Sequence, residues 1–511
     1  MQATHVRRTS GGLIRGIGHN GVERYLGIRY GVPPSGALRW REPEPASWSG
    51  TADAFAYSPI APQLDTRLSS GGIMPAVLDL LYPRGGSPAE NGTMGEDCLS
   101  LNVWAPEGAE GLPVLVWLHG GGFAHGAGSE QVFAGDRLAR TGRVVVVSVN
   151  HRLGLTGFLA LDHLLGDEWR GSANAGVADL LLALRWVADN VAAFGGDPSR
   201  VTIAGQSGGA AKVATLTAMP DARGLFHGAI MQSGPARWIG DLEWARAQTA
   251  AVLELAHIPV PDAELLLELP LRQLLDLQRA ADASGGISWR PAVDGGLIAG
   301  RPFEGSTMPA VPMLVGYTSH DVSLFLCERD DYRLLDLAAV TAVLSGSHGG
   351  DAGRVLEAEA AAHPGEPPQL LLARVLTRET MARSAHLVLQ AVSGHGTTAY
   401  GYRFDYATEA MGGLLGATHS SDLAFVFGTV DSIPLSGQRP ARFMVSDAVR
   451  DAWIAFAESG APGHAGLPDW PAYTAAAPSL LAFDEVSRLE EEPCDLGVPA
   501  RAPAFWPETE S

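Results

Sequence analysis

The chain has 511 residues, 36 basic and 56 acidic, for a formal charge of -20, and is 46% apolar and 18% charged. This composition excludes a disordered chain, and the acidic balance excludes a nucleic-acid backbone as partner, which needs a concentrated positive field. Cys98, Cys327 and Cys494 stand far apart without CxxC spacing, so they form neither a disulfide framework nor a zinc-ligand pattern, and a reducing compartment is expected.

In chain order, the opening MQATHVRRTSGGLIRG carries early arginines but no apolar run after them. No later segment reaches the roughly 18 uninterrupted apolar residues that span a bilayer, so the expectation is a cytoplasmic protein with no membrane partner. The segment 82–95, YPRGGSPAENGTMG, has the Gly, Pro and Asn of a long loop. Runs at 113–122, 143–150, 200–207 and 311–319 are apolar and β-branched without polar alternation, as in strands covered on both faces. Between them Val177, Leu180, Leu181, Leu184, Val187 and Val191 recur at three- and four-residue spacing, the period of a helix with one apolar face. Strand, helix and strand in alternation predict a mostly parallel sheet with helices on both faces, an α/β fold. Leu-, Ala-, Glu- and Arg-rich stretches at about 240–285 and 328–395 interrupt the strand series and predict helical insertions over the sheet. Length alone would allow two or three domains; one domain over 1–511 with those insertions is expected. The residues after Pro493 show no sustained period.

The run RVTIAGQSGGAAKVATL places Gly205-Gln206-Ser207-Gly208-Gly209 between an apolar strand and an Ala-rich helix. A Gly-x-Ser-x-Gly match is weak in a chain with 62 glycines, but the strand before it and the helix after it are the context the motif requires. A serine on such a sharp turn exposes its hydroxyl above the sheet, with a helix N-terminus behind it to favour negative charge. Ser207 is therefore the candidate nucleophile.

His119-Gly120-Gly121-Gly122-Phe123 follows a buried strand directly. Consecutive glycines weaken a strand but let backbone N–H groups converge on a ligand oxygen. Preorganised donors of this kind stabilise the oxyanion of a tetrahedral intermediate, and Gly121, Gly122 and Gly208 are the candidates. A phosphate-binding loop is disfavoured because no Lys-Ser or Lys-Thr follows and the spacing is not GxGxxG. His119 is read as an anchor of the loop.

With these motifs in place the chain resembles the type-B carboxylesterase family. The matching segments are 25–40, 96–106 (EDCLSLNVWAP), 119–123, 149–159 (VNHRLGLTGFL), 184–210, 416–428 (GATHSSDLAFVFG) and 453–462, in family order over nearly the whole chain. The resemblance implies the α/β-hydrolase fold and a serine esterase acting on small-molecule esters, with no metal or organic cofactor. It implies Ser207 as nucleophile, His419 as general base, and Gly121, Gly122 and Gly208 as oxyanion donors. The family's acid, usually Glu in Gly-x-x-x-Asp-Glu-Gly, falls on Asp321, where His320 precedes it and Val322 takes the glycine's place. Ser233 and Asp422 fall on positions behind the triad, and Phe123, Trp238, Leu324 and Phe325 on pocket-lining positions.

Other departures bear on substrate. Ala61 stands where secreted members carry the partner of the Cys98 position. Gln206 replaces the usual glutamate before the nucleophile, and 61–98 holds no tryptophan to offer a cation-π face, which argues against a cholinesterase-like preference. Carbamates, anilides and lactones pass through the same oxyanion and stay open as substrates; a non-catalytic adhesion or binding homologue is the remote alternative. The sequence does not set the oligomeric state, and a monomer is compatible with it.

Overall fold

The computed structural model describes residues 2–3, 5–83 and 93–491. Most of the loop read at 82–95, and the tail with Cys494, lie outside the described residues. A twelve-stranded sheet organises the chain. Its strands are β1 (Gln2–Ala3), β2 (Ile17–His19), β3 (Val22–Arg29), β4 (Ser100–Pro106), β5 (Leu112–Leu118) and β6 (Val145–Val149). They continue as β7 (Gly196–Gln206), β8 (Gly228–Gln232), β9 (Met313–Thr318), β10 (Ala399–Phe404), β11 (Ser479–Phe483) and β12 (Arg488–Glu491). The spatial order is β1-β2-β3-β4-β6-β5-β7-β8-β9-β10-β11-β12. Pairing is parallel from β6 through β11 and antiparallel at both margins.

Alternation along β5 shows why its sequence lacks polar residues. Val114, Val116 and Leu118 point into one core layer with Val177, Leu180, Leu184 and Val187 of helix α1 (Ala175–Asn190). Leu115 and Trp117 point into the opposite layer with Val445, Val449 and Trp453 of helix α3 (Ala441–Ser459). Successive strand residues face opposite sides, so a strand covered twice must be apolar throughout. Each such side chain removed from water stabilises the fold by about 1.5–3 kcal/mol.

Parallel register brings the strand ends together. Gly205 of β7 pairs with Leu118 of β5, Gln206 with Gln232 of β8, and Gln232 with Gly316 of β9. The segments beginning at His119, Ser207 and Ser233 therefore leave the sheet side by side at its carboxyl edge, where open α/β sheets place their ligands.

Residues 240–285 fold as helices that include Leu242–Leu255 and Leu271–Ala283, and 328–395 as helices from Leu337–His348 to Arg383–Gly394. The segment 61–98 contains two short helices, Thr66–Ser69 and Met74–Leu81. The second carries Pro75 in its first turn and buries Met74, Val77 and Leu81, about two amphipathic turns, too short to register as a period. Among the described residues no helix is long and apolar enough to cross a membrane.

Candidate active site

Strand β7 runs into Ser207, which caps helix α2 (Gly208–Thr217) with φ 59° and ψ −124°. A non-glycine residue at positive φ is strained by about 1–3 kcal/mol and persists only where its surroundings over-determine it. Here the Ser207 N–H donates to the Gln232 carbonyl at 2.8 Å and its own carbonyl accepts from Ala211 N at 3.1 Å. A Cβ on Gly209 would stand 2.1 Å from the Leu118 carbonyl oxygen, so only glycine lets α2 start this close to the end of β5. Ser207 opens into a cavity of about 780 Å³, together with His419 and Gly120 to Gly122.

The glycine loop presses against the same helix. A Cβ on Gly208 would lie 2.3–2.4 Å from the O, Cα and N atoms of Gly122. Among the described residues the N–H groups of Gly121, Gly122 and Gly208 donate to no other protein group, although the Gly121 carbonyl accepts from His125 N at 2.9 Å. His119 is buried, bonds the Gly120 carbonyl through Nδ1 at 2.9 Å and stacks on His151 at 5.1 Å. Burial, assisted by the nearby Lys212, holds the His119 ring well below the ordinary histidine range, so it is a neutral part of the loop.

Asp321 and His419 come from loops 98 residues apart that are bound edge to edge. His320 and Thr418 form a β-bridge, His320 N donates to the Ala417 carbonyl at 3.0 Å, and Ser323 Oγ donates to Thr418 Oγ1 at 2.7 Å. The His419 Nδ1–H meets Asp321 Oδ1, and Asp321 Oδ2 accepts from Thr318 N at 3.1 Å. The histidine that departs from the family pattern, His320, accepts from Ala417 N and donates to Glu366 at 2.8 Å. Val322 sits at φ −69°, a right-handed conformation that needs no glycine.

On the other edge of the imidazole, Gln206 Nε2 donates to His419 Nε2 at 3.1 Å. Ser207 Oγ makes no hydrogen bond among the described residues. Behind the ring Asp422 is fully buried and accepts from Gln232 Nε2 at 2.8 Å and Tyr402 OH at 3.2 Å. Burial pushes its carboxyl up to about 6, with the Asp321 charge adding in the same direction. Ser233, buried at φ 46°, has an Oγ without a partner among the described residues.

Trp238, Leu324 and Phe325 line the cavity, and the Phe325 ring lies 5.0 Å from that of His419. Phe123 does not. Its backbone turns inward after the glycines, and its fully buried ring packs edge-on against Trp238 at 5.5 Å and Phe158 at 5.3 Å, behind the wall that Trp238 forms. Residues beyond those motifs complete the lining: Leu78, Leu81 and Tyr82 from the short helices, Phe133, and Met381 from the second insertion. The 240–285 insertion contributes none. Cys98 is a buried free thiol beside the site's strands, and Ala61 is buried. Lys212, on α2, is buried too, and its signal was present in the sequence: of 36 basic residues it is the one lysine.

A mostly parallel sheet wound with helices, carrying a strand–serine–helix turn at its carboxyl edge, defines an α/β-hydrolase. The profile of the Carboxylesterase family matches residues 3–497, and the chain belongs to that family. It is 34% identical to the phenmedipham hydrolase of Pseudarthrobacter oxydans over 94% of this chain and 95% of that one. It is also 34% identical to the para-nitrobenzyl esterase of Bacillus subtilis, over 95% and 96%. A solved carboxylesterase of Geobacillus stearothermophilus superposes with TM-score 0.80 at 32% identity, covering 96% of this chain and 98% of the other. The protein is a carboxylic ester hydrolase.

Proposed function

We propose that Ser207 is the nucleophile, His419 its general base and Asp321 the acid that orients the base, with the N–H groups of Gly121, Gly122 and Gly208 as the oxyanion hole. The observation that carries this reading is the Asp321–His419 bond, which puts the proton on Nδ1 and leaves the Nε2 lone pair toward the cavity that Ser207 enters. When Gln206 yields Nε2, His419 takes the Ser207 proton as the hydroxyl attacks the ester carbonyl. The oxyanion rests on preorganised N–H donors that no other group among the described residues competes for. His419 then protonates the departing alcohol and activates water to release the acyl group, while the buried Asp321 stabilises the imidazolium.

The substrate is a small-molecule ester, and the aromatic lining by Phe133, Trp238, Phe325 and Tyr82 suits one carrying a ring. A carbamate is the second reading, favoured by the resemblance to phenmedipham hydrolase, since carbamate cleavage passes through the same oxyanion. Every group of the site comes from one chain, so a monomer suffices, and the buried free thiol of Cys98 suits the cytoplasm. A fluorophosphonate should attach once per chain, and peptide mapping should place it on Ser207, with Ser207→Ala losing both label and esterase activity. Label on another serine, or a folded protein that takes none, would overturn the assignment.

A further inference from the structure

Lys212 is completely buried five residues after Ser207, on the side of α2 that faces the glycine loop. Its Nζ donates to the His119 carbonyl at 2.8 Å and lies 5.8 Å from the centre of the Phe123 ring. The titratable groups facing it are His119 and His151, both held neutral by burial, and no carboxylate pairs with it among the described residues. A buried ammonium with one acceptor is expensive. The chain uses arginine for every other basic side chain, and a guanidinium here would leave most of its five donors unmet.

Three contacts hold α2 to the loop. Gly208 against Gly122 and Gly209 against Leu118 are close-packed backbone, which stops the two elements from approaching further but does not stop them from separating. The Lys212–His119 bond is the one hydrogen bond between α2 and residues 119–123 among the described residues. It seizes the peptide that opens the glycine turn.

We propose that Lys212 is a positioning residue of the oxyanion hole: its side chain fastens the His119 carbonyl to α2 and so keeps the Gly121 and Gly122 N–H groups aligned with that of Gly208. The inference rests on the assignment of those three groups as oxyanion donors.

The test is Lys212→Met, which keeps length and burial but removes the donor, assayed on a nitrophenyl ester with active sites counted by fluorophosphonate titration. Removing one oxyanion donor outright costs ~10²–10³-fold in kcat, so misaligning the loop should lower kcat per titrated site by roughly 10- to 100-fold. KM should stay within about threefold, because the ground-state carbonyl depends little on the hole. The affinity for a trifluoromethyl ketone, whose adduct with Ser207 carries the oxyanion, should fall by the same factor as kcat. A kcat per site within twofold of the parent, or an unchanged ketone affinity, overturns the proposal. Fewer titratable sites with normal turnover would show a merely structural role and overturn it equally. Should Lys212→Met not fold, Lys212→Gln gives the same split, its shorter amide falling short of the carbonyl. Ser207→Ala separates the two claims: an inactive Ser207→Ala beside a fully active Lys212→Met rejects the lysine's role and leaves the nucleophile in place.

Discussion

The side-chain amide of Gln206 donates to Nε2 of His419 at 3.1 Å, on the ring edge opposite the one bound by Asp321. Both imidazole nitrogens are thus engaged while Ser207 Oγ is not, and the tautomer is the one a general base needs. On the proposed mechanism the serine hydroxyl must take over the lone pair that this amide occupies.

Exchanging that neutral amide for a carboxylate changes the charge beside the ring without changing its size. Gln206→Glu should favour the imidazolium, since an opposite charge within about 4–6 Å stabilises the charged form. On the proposed mechanism hydrolysis needs the neutral ring, so the acid limb of kcat/KM against pH should move to higher pH in the variant. Superimposable profiles for variant and parent would place residue 206 out of contact with the base.

Asp321→Asn should cost at least roughly 10² in kcat, against about 10⁴ for the equivalent change in serine proteases. The reason is local: Thr318 N–H needs an acceptor, so the new carboxamide turns its oxygen there and its NH₂ toward His419 Nδ1, selecting the wrong tautomer. Turnover within a few-fold of the parent would assign the acid elsewhere.

Asp422 predicts a stability profile. Its carboxyl, 3.8 in an unfolded chain, is raised to about 6 by burial and by Asp321, so the folded state binds the proton more tightly. That contribution is fully present below pH 4 and is lost as pH rises through 6, at about 1.4 kcal/mol per tenfold change, or ~3 kcal/mol above it. Asp422→Asn removes the ionisation and keeps an acceptor for Gln232 and Tyr402. In denaturant titrations the variant should gain on the parent between pH 4 and pH 7. A constant difference across that range would show that Asp422 does not titrate there.

Gly208→Ala places a methyl 2.3–2.4 Å from the Gly122 backbone, which must retreat. Overpacking of this kind costs about 1–3 kcal/mol, a modest loss of melting temperature. Turnover should fall far more, by roughly 10²-fold, as the facing donors part. An alanine variant with near-parent kcat would mean that the Gly122 N–H takes no part in catalysis.

Sequence by itself determined those elements whose physical requirement is written in one segment. The strands at Leu112–Leu118, Val145–Val149 and Met313–Thr318 are legible because burial on both faces leaves no polar residue to hide them. The turn around Ser207 is legible because its backbone approaches demand glycine at fixed offsets. Strands β8, β10 and β11 escaped, being short and carrying Gly or Ser, and the helices at 66–81 lack the length for a period to show. Tertiary structure alone decided the rest, because each case depends on what a distant segment does. The Asp321–His419 bond exists because His320 and Thr418 zip two loops together. Trp238 rather than Phe123 meets the cavity because the loop turns its aromatic ring into the core. Lys212, a single letter in the chain, matters because the fold buries its amino group against the His119 carbonyl, closed off from solvent.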